Sequence, residues 1–296
     1  MAGPSALERA LTKLRPMLPA RFRIDIPTVP VVRLAGVIGV STPLKPGLTL
    51  SNVARTLERA FEMPNIRAVA LAINSPGGAA VQSHLIYRRI RALADENKVP
   101  VLAFVEDVAA SGGYMIACAA DEIVCDVSSI VGSIGVIGGT FGFDKLIEKV
   151  GIERRLYASG ERKAMLDPFL PEKPEDVERL KAIQHEIHES FIGLVKARRG
   201  AKLGSRETAL FSGEYWTGQR GQKLGLVDAI GDLRGVLRER YGEKVRTPLI
   251  AERGLFGRRW PGVSRGEFGS LWNGSGIAED VVSTLEARAV WARYGL

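Results

Sequence analysis

Histidine is scarce in this 296-residue chain, which has only His84, His185 and His188. A serine–histidine–acid triad therefore has few ways to form. His84 is the one histidine placed to approach a nucleophile in space, and no acid partner is positioned for it by spacing. His185-Glu186-Ile187-His188 invites a zinc reading. A metalloprotease helix, however, sets its histidines four apart with glutamate after the first, and here they are three apart without an evident third ligand. Solvated positions on a long helix are the expectation, with no metal. Cysteine is equally rare. Cys118 and Cys125 both lie in apolar stretches and read as buried reduced thiols in a reducing compartment, not as a disulfide. No uninterrupted apolar run approaches the ~18 residues of a spanning helix. The first residues lack the apolar core and small-residue cleavage site of a secretory signal. Zinc-finger spacings, RNP-like aromatic motifs and long Lys/Arg blocks are also missing, so no nucleic-acid partner is expected. The expected location is the cytoplasm, including peripheral attachment to the cytoplasmic face of a membrane.

The composition is that of a globular protein, 46% hydrophobic and 25% charged, with a net charge of +8. The excess reads as a basic surface or as attraction to anionic lipid. Leu7, Leu11, Leu14 and Leu18 fall on one helical stripe behind a Ser5–Glu8 capping box, which suits a helix packed on protein or lying on lipid. Short apolar strands then alternate with helical segments. The expected strands are Val31–Val40, Ala68–Ile73, Val99–Val105, Ile123–Asp126 and Glu153–Tyr157, with Val131–Gly139 β-prone. The expected helices are Ser51–Glu62, Val81–Glu96, Gly112–Ala120, Phe141–Val150, Pro174–Arg199 and Ile277–Arg293. Such alternation argues for α/β architecture with parallel pairing. Three regions follow: an N-terminal helix and linker (1–28), an α/β domain (29–246), and a Gly/Arg-rich extension with a terminal helix (247–296).

Chemistry in such folds gathers at the carboxyl ends of strands. Two turns stand there. Val108-Ala109-Ala110-Ser111-Gly112-Gly113-Tyr114 puts a serine among small residues at the mouth of a helix. Asn74-Ser75-Pro76-Gly77-Gly78 follows the preceding apolar strand. One turn can present a hydroxyl nucleophile and the other bare backbone N–H groups for an oxyanion, which suits acyl transfer. With histidine disfavoured, a lysine base is the better candidate, because burial lowers an amine pKa and the neutral amine can take the serine proton. Lys163, in Ser159-Gly160-Glu161-Arg162-Lys163, is such a lysine. Its spacing alone does not separate it from a surface lysine. Ser75, Ser128 and Ser129 read as turn and cap residues. The glycine-punctuated Val131–Ile137 stretch is expected to offer main-chain contacts to an extended substrate through Val131, Gly132, Ile134 and Gly135, with pockets for Leu, Ala and similar side chains.

Taken in order, several segments resemble the signal peptide peptidase A type of serine peptidase, family S49, in its single-domain form. They are Asn74–Gly78, Ala110–Tyr114, Val131–Ile137, Ser159–Lys163 with Pro168-Phe169, and Trp216-Thr217-Gly218 through Gly225–Asp228. The resemblance covers about residues 30 to 240. It implies a ClpP/crotonase-like fold of repeated β-β-α units, here with an N-terminal helix and a C-terminal extension. It implies Ser111 as nucleophile, Lys163 as general base, and Ser133 as the hydroxyl that orients the lysine. The oxyanion hole would use N–H groups of Gly78, Gly77 and Gly112, and no cofactor is implied. Partners would be peptide substrates, with remnant signal peptides and small membrane-associated proteins among them. The family's rings or domes imply a homo-oligomer, in some members with serine and lysine meeting across a subunit boundary. A single chain would then hold the two apart. Two departures stand out: one copy of the fold where larger relatives have two, and the Ser5–Leu18 helix where many have a membrane span. Two rivals use the same fold. A catalytically silent ring or membrane scaffold needs neither residue, and an acyl-CoA enzyme needs the oxyanion hole but no serine nucleophile.

Overall fold

A computed structural model describes residues 26–40, 47–160, 162–204, 207–250, 285 and 288–296. The expected Ser5–Leu18 helix and most of the 247–276 stretch lie outside them. The elements are β1 (Val31–Ala35), α1 (Leu50–Phe61), β2 (Val69–Ser75), α2 (Ala80–Asn97), β3 (Val101–Ala110), α3 (Gly112–Ala117), β4 (Glu122–Cys125) and β5 (Ile130–Gly132). They continue with α4 (Asp144–Lys149), α5 (Pro174–Arg199), α6 (Glu207–Leu210), β6 (Tyr215–Thr217), α7 (Gly218–Lys223), β7 (Ala229–Ile230), α8 (Leu233–Tyr241) and β8 (Leu249–Ile250).

The strands form one sheet in the order β6-β5-β3-β2-β1-β8, with β4 and β7 branching from β3. Every pairing is parallel except β5 with β6. The central strands read as continuous apolar runs because both faces are covered. In β2, Val69, Leu71 and Ile73 enter one core with α1, α2 and α3, while Ala70 and Ala72 enter a second core with Leu237 of α8. β3 alternates the same way, Val101, Ala103 and Val105 against Leu102 and Phe104. α1 buries Val53, Leu57, Ala60 and Phe61, the periodic stripe that predicts it.

β3 is longer than the expected Val99–Val105, and its length matters. Its first half pairs with β4 over Leu102–Val105 and its second half with β5 over Val108–Ala110. Ser129 plugs the fork: buried, it donates Oγ to the Glu106 carbonyl at 2.6 Å and accepts the Asp126 N–H at 3.1 Å. The fork carries β3 onward to the end where the serine turn stands. Cys118 and Cys125 are free and buried, and burial pushes both thiols up to about 12.

Some expectations change. β1 stops at Ala35 instead of Val40 because Gly36 takes φ 110°. The β-prone stretch pairs only at its start, as β5. Glu153–Tyr157, expected as a strand, has no ladder partner among the described residues; it is exposed throughout, and a strand without a neighbour has nothing to satisfy its backbone. α5 has the expected bounds, yet only Phe191, Val195 and Arg199 of it are buried, all in its last third.

Candidate active site

β3 delivers Ser111 at the mouth of α3 with φ 52° and ψ −122°. Positive φ in a residue with a side chain is strained and is retained only where the surroundings impose it. Here both backbone groups are held: the Ser111 N–H donates to the Gly132 carbonyl at 2.8 Å, and its carbonyl accepts the Met115 N–H at 3.0 Å. The hydroxyl is left partly exposed and makes no side-chain hydrogen bond among the described residues.

The Gly77-Gly78 turn interlocks with this elbow. A Cβ on Gly77 would stand 2.8 Å from Ser111 Cβ and 3.0 Å from the Gly112 nitrogen. One on Gly112 would stand 2.2 Å from Ser83 Oγ, and one on Gly113 2.4 Å from the Ser75 carbonyl oxygen. Only glycine lets the two turns come this close. Ser75 fixes the first turn, donating Oγ to the Gly36 carbonyl at 2.7 Å and accepting the Gly77 N–H at 3.3 Å. Gly77 therefore has its donor engaged and contributes closeness. Gly78 and Gly112 have N–H groups that meet no acceptor among the described residues.

Ser133 joins the same cluster. It also takes positive φ, 54°, just after Gly132 at 103°. Its N–H donates to the Glu214 carbonyl at 2.6 Å, and the peptide before it carries the carbonyl that accepts from Ser111. Trp216 lies where a Cβ on Gly132 would be, 2.8 Å from its ring. Val131 and Ile134 are fully buried core residues. Both edges of Ile130–Gly132 are paired, by β3 and β6, so these residues have no free main-chain edge. Gly135 packs close to Gly213, with 3.0 Å from its would-be Cβ to that Cα.

Lys163 makes no hydrogen bond to Ser111 or Ser133; it is exposed and lines an open groove of about 780 Å³ with Arg154, Tyr157, Asp167 and Phe169. The groove belongs to an arm, residues 137–160 and 162–170, that contains α4. Asp167 organises the arm: its carboxylate accepts the Phe169 N–H at 2.9 Å and pairs with Arg154 at 3.0 Å, and these donors hold its carboxyl below the usual range. The arm exposes Ile137, Phe141, Leu146, Val150, Ile152 and Tyr157, and α4 has no buried residue.

His84 is exposed and stacks on Tyr87, away from any base role visible in its contacts. His188 bonds the Ile134 carbonyl at 3.1 Å, bracing α5 against the site. Two tyrosines at the site carry no sequence signal. Tyr215 of β6 donates to the Arg293 carbonyl at 3.2 Å, and Tyr294 donates to Ser133 Oγ at 3.2 Å.

Comparison with known proteins returns relatives. The pattern of peptidase family S49 matches residues 93–244, just over half of the chain, and takes in Ser111, Ser133 and Lys163. A Brucella abortus protein named Na(+)/H(+) antiporter NhaA is 52% identical over 297 residues, covering 99% of this chain and 40% of that protein. The chloroplastic serine protease SPPA of Arabidopsis thaliana is 33% identical over 210 residues, 69% of this chain and 31% of that protein. Protease 4 of Haemophilus influenzae is 34% identical over 182 residues, 60% of this chain and 29% of that protein. The chain thus spans less than half the length of each of these three relatives.

Proposed function

Because the chain belongs to peptidase family S49, whose ClpP/crotonase-like fold has the mostly parallel central sheet seen here, we propose that it is a serine endopeptidase completed by assembly. The observation that carries the reading is the interlocked pair of turns: a strained, partly exposed Ser111 beside two N–H groups, of Gly78 and Gly112, without acceptors among the described residues.

The Lys163 amine, neutral once enclosed, accepts the Ser111 Oγ proton as Oγ attacks the substrate carbonyl carbon. The carbonyl oxygen becomes an oxyanion between the Gly78 and Gly112 N–H groups. Collapse breaks the C–N bond, and the leaving amine takes the proton from Lys163. Water then attacks the acyl-enzyme, giving its proton to Lys163, and Ser111 recovers a proton as the acid product leaves. Ser133 Oγ accepts an N–H of the neutral amine, which leaves the amine's one lone pair facing Ser111.

The lysine comes from a neighbouring subunit. Three observations favour this: Lys163 sits exposed on an arm, the arm's apolar side chains are left uncovered by the described residues, and α5 has no fully buried residue before Phe191. Many exposed large apolar side chains on one segment suit a contact face. A ring or dome built through the arms would enclose the site and supply the desolvation that a lysine base requires.

Extended peptides with small or aliphatic side chains near the cut are the proposed substrates. The antiporter name belongs to the Brucella relatives, most of whose length lies outside the match. We read the shared stretch as their peptidase portion, and the pairing supports a place of work close to a membrane. The test is cleavage of a fluorogenic peptide carrying Ala and Leu near the cut, by wild type and Ser111→Ala in equal states of assembly. Loss of at least about a thousandfold in the variant is expected, the scale seen when a serine nucleophile is removed. Equal cleavage by both would reject Ser111 as the nucleophile.

A further inference from the structure

The segment that ends at Leu296 touches the site. Residues 288–292 are helical, and the turn after them is closed by Tyr294 N–H to the Trp291 carbonyl at 2.9 Å and Gly295 N–H to the Ala292 carbonyl at 3.1 Å, with Gly295 at φ 76°. This turn presents Tyr294 to β6. Its ring meets Tyr215 edge-on, 5.1 Å between centroids, a favoured aromatic geometry. Two hydrogen bonds run in opposite senses across the contact: Tyr215 donates to the Arg293 carbonyl and Tyr294 donates to Ser133 Oγ, each at 3.2 Å. Tyr215 sits opposite Gly132 in the β5–β6 pairing, so the segment is seated on the strand pair that holds Ser133.

We propose that residues 288–296 form an autoinhibitory latch, with Tyr294 occupying the approach to Ser133 that a lysine amine must use. The proposal rests on the peptidase reading above. Ser133 is half-buried and its oxygen small. A phenol held 3.2 Å away, on a ring packed against β6, leaves little room for an ammonium-sized group to reach the same oxygen. The segment also covers part of β6, the outer edge of the sheet beside the elbow and a place where an extended peptide would lie. A substrate and a neighbour's lysine would therefore displace the latch together, and the enzyme would be restrained until both arrive.

The test uses the full chain with Tyr294→Ala and Tyr294→Phe, and a labelled peptide spanning Arg288–Leu296. Cleavage of the fluorogenic peptide should rise several-fold in Tyr294→Ala, with Tyr294→Phe between it and wild type because the ring contact remains. Fluorescence anisotropy should show the labelled peptide binding Tyr294→Ala more tightly than wild type, whose own segment fills the seat. A peptide with phenylalanine at the tyrosine position should bind about three- to tenfold more weakly, the effect of one hydrogen bond. Unchanged or reduced cleavage in both active variants would overturn the latch while leaving the peptidase standing. Equal peptide binding to wild type and Tyr294→Ala would overturn it as well. If every form is inactive while the peptide still prefers Tyr294→Ala, the peptidase reading falls and the docking stands.

Discussion

At Ser111 stability and reactivity are opposed. Its φ of 52° and ψ of −122° cost about 1–3 kcal/mol in any residue with a side chain. The residue is kept there by the Gly132 and Met115 hydrogen bonds, which turn the hydroxyl outward instead of into the helix. Ser111→Gly should therefore raise stability by about 1 kcal/mol in urea unfolding while abolishing cleavage, since glycine adopts positive φ freely. Ser111→Ala should abolish cleavage without that gain, and a glycine variant no more stable than the alanine one would show that the elbow is unstrained. The serine and its glycines were legible in sequence because small residues at a strand-to-helix turn have few other uses. The division between Gly77 and Gly78 was not: it depends on which N–H the Ser75 hydroxyl takes. Tyr294 was equally hidden, because 161 residues separate it from Ser133 and no periodicity links them.

Among the elements, the last third of α5 is tied to the sheet by charge as well as by its buried Phe191 and Val195. Arg199, 2% exposed, donates to Asp228 Oδ2 at 2.6 Å and to the Gly225 carbonyl at 2.7 Å. Asp228 also accepts the Ile123 N–H of β4 at 2.8 Å and the Lys202 amine at 2.6 Å. Burial alone would raise this carboxyl, but the Arg199, Lys202 and Ile123 donors outweigh it and hold it below the usual range. A depressed carboxyl stabilises the fold above its ordinary pKa and loses that effect as pH falls through the lower folded value. Asp228→Asn should cost roughly 3 kcal/mol at pH 7, because it leaves the buried Arg199 without its anion. The gap to wild type should narrow below pH ~4 in acid unfolding curves, where the ordinary carboxylate begins to protonate. A gap independent of pH would place the effect in shape instead of charge. Most elements were readable from period and length, since buried strands and amphipathic helices write themselves into composition. The exceptions were β3, lengthened by a fork that only tertiary pairing creates, and Glu153–Tyr157, which finds no strand partner among the described residues.

For the whole molecule, the arm and α5, at Ile183 and Ile187, expose apolar side chains that the described residues leave uncovered, and Lys163 stands on that arm without a hydrogen bond to Ser111. We propose that the active site is assembled from two subunits. The decisive experiment mixes Ser111→Ala and Lys163→Ala chains, each inactive alone, under conditions that exchange subunits, with mixed assemblies verified by native mass spectrometry. Sites shared between neighbours in a closed ring should recover about one quarter of wild-type cleavage from an equal mixture, since one pairing in four joins an intact serine to an intact lysine. Verified mixed assemblies with no recovered cleavage would contradict the shared site and return the base to Ser111's own chain.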